Sequence, residues 1–235
     1  MNANQNATSG TISDETRRRY AQQGFGTTRI GFGERPVVLI VDMQNDFVDP
    51  DSPSTCAPMA QERLPAIKQL LQAARAAGVP VLFSQGLVAP DLTDVGLWKG
   101  WAHRSGRAQV EGTRGAQIVA ELAPLPTEHV VLKRRPSAFF ETDLDVFLRG
   151  YRADTLILAG SSMSGCVRAT ATDAFSRDYR TMIVAECVID RTAELCERNL
   201  FDLDAKYCDA VSLEETLAYL AERSVPARSP ALRSA

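Results

Sequence analysis

The run PVVLIVD at residues 36–42 restricts this chain more than any other feature. It is continuously apolar and rich in β-branched residues from Val37 to Val41. With no polar face to offer solvent, it has the pattern of a strand covered on both sides in a parallel sheet. A carboxylate, Asp42, closes the run. A charge in that position must be solvated or paired, since burying it alone is costly. On these grounds Asp42 reads either as a structural acid satisfied by loop hydrogen bonds or as a functional one.

The remainder of the chain alternates in the same way. Residues 64–77 carry Leu64, Ile67, Leu70, Leu71 and Ala74 at helical spacing, with Pro65 placed in the first turn and Gly78 as the capping residue. Further strands are expected at 80–84, 129–133, 155–160, 180–185 and 210–213, and helices at 143–149, 166–177 and 193–205. Strands alternating with helices predict a three-layer α/β/α fold around a mostly parallel central sheet. Residues 1–34 are polar and glycine-bearing, with a helix expected at 13–23, and read as an arm or subunit-contact segment. Residues 35–222 form the expected domain, followed by a polar tail at 223–235.

Composition narrows the function. A chain of 235 residues, 45% hydrophobic and 23% charged, suits one substantial domain. At that length roughly 70% of the unfolded surface can be buried, so neither disulfides nor a structural metal is needed. The net charge is −3 with both signs interspersed, which argues against nucleic acid and anionic membranes as partners. No apolar run approaches the ~18 residues of a spanning helix, and the first ten residues are polar, so a cytoplasmic protein acting on a small molecule is expected. The five cysteines, an odd number without a Cys-x-x-Cys pair, point to reduced thiols. With only His103 and His129 in the chain, a multi-histidine metal site is improbable. We expect no metal and no cofactor, and a nucleophile that relies on a carboxylate or a lysine.

Ligands of open parallel sheets bind at the carboxyl ends of the strands. Asp42, Lys133 and the turn Ser161–Cys166 (SSMSGC) each lie at the carboxyl end of a predicted strand, so one fold would bring all three to one edge. Cys166 is expected to open a helix, where free N–H groups and the helix dipole favour a thiolate and could hold an oxyanion. Taken singly, a cysteine in such a turn also fits as buried filler, and Lys133 beside Arg134 and Arg135 fits as a solvated basic rim. Residues 91–115 hold both tryptophans and five glycines, which suits a functional loop and a pocket wall. Trp98 and Trp101 could anchor that loop to the core or touch substrate. His103 and His129 are assigned no catalytic role.

At these residues the sequence resembles the cysteine hydrolases of the isochorismatase-like superfamily, and most closely the branch of N-carbamoylsarcosine and maleamate amidohydrolases. The stretches that carry the likeness are GFGERPVVLIVDMQNDF from Gly31, LKRRPSAFF from Leu132, SGCVRATATDAF from Ser164 and ECVIDR from Glu186. The resemblance implies a catalytic triad in which Asp42 takes the proton of the Cys166 thiol and Lys133 steadies the charges. It further implies a cis peptide at Ser161–Ser162, the N–H groups of Ser162 and Cys166 as an oxyanion hole, and Arg191 as a clamp for a substrate carboxylate. An ion pair with Asp190 is the other reading of Arg191. The branch implies a homodimer or homotetramer, with the amino-terminal arm in the contacts. Residues 84–94 lack the histidines of the superfamily's metal-binding nicotinamidases, and the presence of Cys166 argues against vinyl-ether hydrolysis. The expected activity is release of ammonia from a small linear amide or ureido carboxylate through a thioester. The alternatives are an amidase for a neutral small amide and a non-catalytic binding member of the fold.

Overall fold

The first strand, β1 (Pro36–Val41), lies at the centre of the molecule, and its side chains from Val37 to Val41 have no solvent exposure. The computed structural model describes residues 12–98 and 109–223. Around β1 are β2 (Val81–Gly86), β3 (His129–Lys133), β4 (Thr155–Ser161), β5 (Arg180–Ile189) and β6 (Asp209–Val211). They form one sheet in the order β3-β2-β1-β4-β5-β6, parallel throughout. The strand order reverses at β1, so right-handed crossovers send the helices to opposite faces. This is a three-layer α/β/α architecture.

On one face α3 (Met59–Ala76) and α7 (Leu213–Ala221) pack against each other and the sheet, and α5 (Arg168–Phe175) and α6 (Ala193–Lys206) do so on the other. Two shorter helices, α2 (Asn45–Val48) and α4 (Leu144–Gly150), follow β1 and precede β4. The helix expected at 13–23 is α1 (Asp14–Gln22), capped by the Ser13 hydroxyl, which accepts from the Thr16 N–H. Tyr20 of α1 meets Phe201 of α6, and the Asp209 carboxylate accepts from the N–H groups of Ile30 and Gly31. Residues 14–31 thus run along α6 and β6. Among the described residues no helix is long and apolar enough to cross a membrane.

Several expectations need correction. Helix α3 begins at Met59, so Pro65 lies inside it rather than in its first turn. The residue is exposed, and the Gln61 carbonyl that loses its helical donor can bond to water. Strand β5 runs on to Ile189 beyond the expected end at 185, because a register shift in its pairing with β4 lets Glu186 turn outward while Val188 and Ile189 stay paired. The Glu186 carboxylate accepts from the Leu213 N–H. Strand β6 covers 209–211 rather than 210–213, and helix α7 was not anticipated. Its signal was Ser212, whose hydroxyl accepts from the Glu215 N–H as the N-cap of an S-x-x-E box.

Gly160, near the end of β4, lies opposite Val41 with a φ of +113°. A Cβ there would collide with the Val41 backbone. The close approach of β1 and β4 at their carboxyl ends therefore requires glycine, both for space and for the backbone angle. Gly160→Ala is expected to destabilise the protein by at least about 2 kcal/mol, read from urea unfolding. A loss below about 0.5 kcal/mol would mean that the two strands can part without cost.

Candidate active site

The carboxyl edge of the sheet is built by the residues that end its strands. Asp42, the first residue after β1, has a φ of 45°, a left-handed conformation that the short polar Asp tolerates better than most residues. Its N–H donates to the Ser84 carbonyl of β2, which carries the carboxylate across the adjacent strands. There Ser84 Oγ donates to Asp42 Oδ1 at 2.6 Å, and Lys133 Nζ at the end of β3 lies 2.7 Å from Oδ2. Asp42 is completely buried and Lys133 is 2% exposed. The ammonium also donates to Cys166 Sγ at 3.2 Å and to the Arg135 carbonyl at 3.2 Å. Asp42 Oδ2 is the ion-pair partner of the ammonium and accepts no hydrogen bond itself. The structure therefore brings Asp42, Lys133 and Cys166 into mutual contact, and Lys133 is not a solvated rim residue.

Cys166 does not open a helix. It is the fourth residue of a π-helical turn, Met163–Val167, which precedes α5. The N–H groups of Gly165 and Val167 both donate to the Ser162 carbonyl, at 3.0 and 3.1 Å, and the Ser161–Ser162 peptide is cis. A second carboxylate secures this turn. Asp190, fully buried after β5, accepts from the Ser164 N–H at 2.6 Å and from the Arg191 N–H at 2.8 Å. The Arg191 guanidinium lies 3.8 Å from Asp190 and donates to the Ser54 carbonyl at 3.3 Å. The pair with Asp190 thus exists, while a 38% exposed side chain leaves the guanidinium accessible as well.

The electrostatics differ from the sequence expectation for the thiol. Burial pushes Cys166 up to about 12, Lys133 acts in the opposite direction, and the neighbouring Asp42 adds to the rise. Burial also works against the Lys133 ammonium, but Asp42 and Cys166 outweigh it and hold its pKa above the ordinary value. Burial therefore favours the protonated thiol of Cys166, not the preformed thiolate that a helix terminus would favour. Such a site can move a proton from sulfur to a carboxylate as the sulfur attacks.

Residues with no assigned role in the sequence hold the surrounding loops. The buried Gln44 carboxamide donates to the carbonyls of Gly86 and Ala116 at 2.9 and 2.7 Å and accepts from the Gly86 N–H at 3.0 Å. The Asp46 carboxylate accepts from the Gln109 N–H. Asp94 accepts from the Ala89 N–H and pairs with Arg134 at 3.1 Å, while Arg135 donates to the Asp94 carbonyl. Both sides of the 99–108 segment are fastened beside Lys133 in this way. The sequence signal was the polar QND directly after a buried strand, where side chains must satisfy strand-end backbone groups. Trp98 is partly buried at the end of a described segment, and Trp101 and His103 lie outside the described residues. A separate cavity of about 480 Å³ lies at the amino edge of the sheet, among residues that include Pro36, Val81, Arg75 and Glu128. Arg75 and Glu128 already pair with each other there, at 2.7 Å, and none of Asp42, Lys133 and Cys166 lines it. Among the described residues no cluster of His, Cys, Asp and Glu is placed to hold a metal ion.

Comparison with known proteins gives a consistent result. The model of the isochorismatase domain matches residues 36–215. The chain is 37% identical to a maleamate amidohydrolase of Pseudomonas putida over 210 residues, covering 89% of this chain and 98% of that protein. It is 35% identical to an N-carbamoylsarcosine amidase of an Arthrobacter species over 206 residues, 86% of this chain and 76% of the relative. A solved isochorismatase family protein from Desulfovibrio vulgaris superposes with a TM-score of 0.74 at 37% identity, covering 80% of this chain and all of that one.

The buried charges make two expectations testable. Lys133→Met leaves Asp42 uncompensated and should cost about 3–5 kcal/mol in urea unfolding. The double variant with Asp42→Asn should lose less than the sum of the single losses; strict additivity would show that the pair is not coupled. Burial also raises the Cys187 and Cys208 thiols to about 12 from an ordinary 9.0. A thiol whose folded pKa lies above its unfolded one stabilises fully below the unfolded value and loses that contribution as pH rises towards the folded value. Stability should therefore fall from about pH 9 to about pH 12, each thiol adding up to about 1.4 kcal/mol per pH unit. Cys208→Ala should reduce this slope, and an unchanged slope would refute the assignment.

Proposed function

The chain belongs to the isochorismatase family, and on that premise we propose that it is a cysteine amidohydrolase releasing ammonia from a small amide or ureido compound that carries a carboxylate. The family relation supports the coarser statement, a hydrolase of carbon–nitrogen bonds in linear amides. One observation carries the finer one. The Lys133 ammonium touches both Asp42, at 2.7 Å, and Cys166, at 3.2 Å, with all three side chains buried.

In this mechanism Asp42 takes the thiol proton as Cys166 Sγ attacks the amide carbonyl carbon. Because burial keeps the resting thiol protonated, the transfer accompanies the attack, and the general base lies where the proton must go. Lys133, paired with Asp42 and donating to the sulfur, stays charged and stabilises the thiolate as it forms. The N–H groups of Ser162 and Cys166 receive the oxyanion. Asp42 returns the proton to the nitrogen as the C–N bond breaks, ammonia departs and a thioester remains. Water, deprotonated by the same carboxylate, adds to the thioester carbonyl. The C–S bond then breaks and the acid product leaves.

Arg191 is the proposed partner of the substrate carboxylate, since a planar guanidinium matches that group and Asp190 keeps it beside the Cys166 turn. Trp98 and Trp101 are proposed to flank the substrate from the long loop.

Ammonia release from maleamate and from N-carbamoylsarcosine tests the proposal. Cys166→Ala should abolish release, and full turnover by that variant would refute the mechanism. Arg191→Ala should raise KM about tenfold or more for the carboxylate-bearing substrate. Activity indifferent to Arg191→Ala would favour a neutral amide instead.

A further inference from the structure

The two oxygens of Asp42 are held by different donors. Ser84 lies on β2, one strand from Asp42, and its hydroxyl reaches Oδ1 at 2.6 Å, with both residues completely buried. Lys133 reaches Oδ2 at 2.7 Å and continues to the sulfur of Cys166. A hydroxyl hydrogen thus occupies Oδ1, while Oδ2 faces the ammonium that bridges to the nucleophile. We propose that Ser84 is a positioning residue that assigns the proton-carrying role to Asp42 Oδ2, an inference that rests on the cysteine amidohydrolase reading of this site.

Oδ1 already accepts the hydroxyl hydrogen, whereas Oδ2 faces the ammonium as an ion-pair partner and accepts no hydrogen bond. The proton leaving Sγ is therefore received by Oδ2: the S–H bond breaks, the Oδ2–H bond forms, and the sulfur lone pair attacks the carbonyl carbon. From the same oxygen the proton passes to the amide nitrogen when the C–N bond breaks. In the second half a water proton reaches Oδ2, the water oxygen adds to the thioester, and the proton returns to sulfur as the C–S bond breaks. A carboxylate held by Lys133 alone could turn about its Cβ–Cγ bond and present either oxygen. A charge-assisted hydrogen bond from the neighbouring strand removes that freedom. Ser84 itself reaches neither the nucleophile nor solvent, so its loss should alter the chemical step and not substrate binding.

Steady-state ammonia release from maleamate and N-carbamoylsarcosine by Ser84→Ala and Ser84→Thr tests this, with Cys166→Ala as control. Ser84→Ala should lower kcat about tenfold or more with KM within about twofold of wild type, and Ser84→Thr, which restores the hydroxyl, should recover most of the loss. A kcat within about twofold of wild type, or a loss carried by KM, would overturn the proposal. Ser84→Cys, similar in volume but a weak donor, should fall between the two and serves if the alanine variant does not fold. Loss of ammonia release in Cys166→Ala together with an unchanged kcat in Ser84→Ala would refute the role of Ser84 and leave the amidohydrolase reading intact, whereas full turnover by Cys166→Ala would remove both.

Discussion

A carboxylate and an ammonium 2.7 Å apart and shut away from water place the strictest demand on this structure. Removing either charge from water costs several kcal/mol, and their mutual attraction repays this only if the remaining polar atoms are satisfied. The protein meets most of that condition through neighbours from along the sheet edge. Ser84 supplies a donor to Oδ1, the Arg135 carbonyl and the Cys166 sulfur accept from Lys133, and Oδ2 is left to the ion pair alone. The pair therefore depends on the order and register of the sheet. β2 must lie between β1 and β3, and β4 must run close enough on the other side to deliver its turn.

The approach of β4 has its own requirement in Gly160, whose missing Cβ lets the backbone of Val41 come near. Beyond it the Met163–Val167 turn presents Cys166, with Asp190 on its backbone and Arg191 attached to Asp190. Gln44 and Asp46 secure the opposite side of the site by binding backbone groups of the long loop. In each case a buried polar side chain satisfies backbone groups at a strand end or in a turn, so the polar network that holds the site also completes the hydrogen bonding of the core.

Burial sets the character of the Cys166 thiol. A thiol at a helix terminus would be read as an ionised one, yet Cys166 is enclosed enough that desolvation prevails over the neighbouring ammonium. The sequence showed the residue and its small-residue turn, but the balance between a nearby charge and lost solvation depends on packing density, which no local pattern carries. Helix α3 shows the same limit. Pro65 suggests a first turn by local sterics, and only the orientation of that residue towards solvent explains why the helix can begin at Met59. Strand β3 was legible to the residue, since its apolar run is bounded on both sides. The outer part of β5 was hidden because Glu186 interrupts its apolar pattern. Helix α7 carries its own start signal in Ser212 and Glu215, an N-cap box at the end of β6.

By itself, the sequence determined the strands, their alternation with helices and the three chemistry-bearing strand ends, because hydrophobic periodicity and capping chemistry act over a few residues. It also carried the family, through stretches at Gly31, Leu132, Ser164 and Glu186 that match together. Only the tertiary structure decided that Lys133 bonds Asp42 and Cys166 at once, that Ser84 holds the second oxygen, and that Asp190 joins Arg191 to the turn. These pairings join residues far apart along the chain. Their energies depend on distances of a few ångströms and on the exclusion of water, both of which exist only once the sheet has assembled.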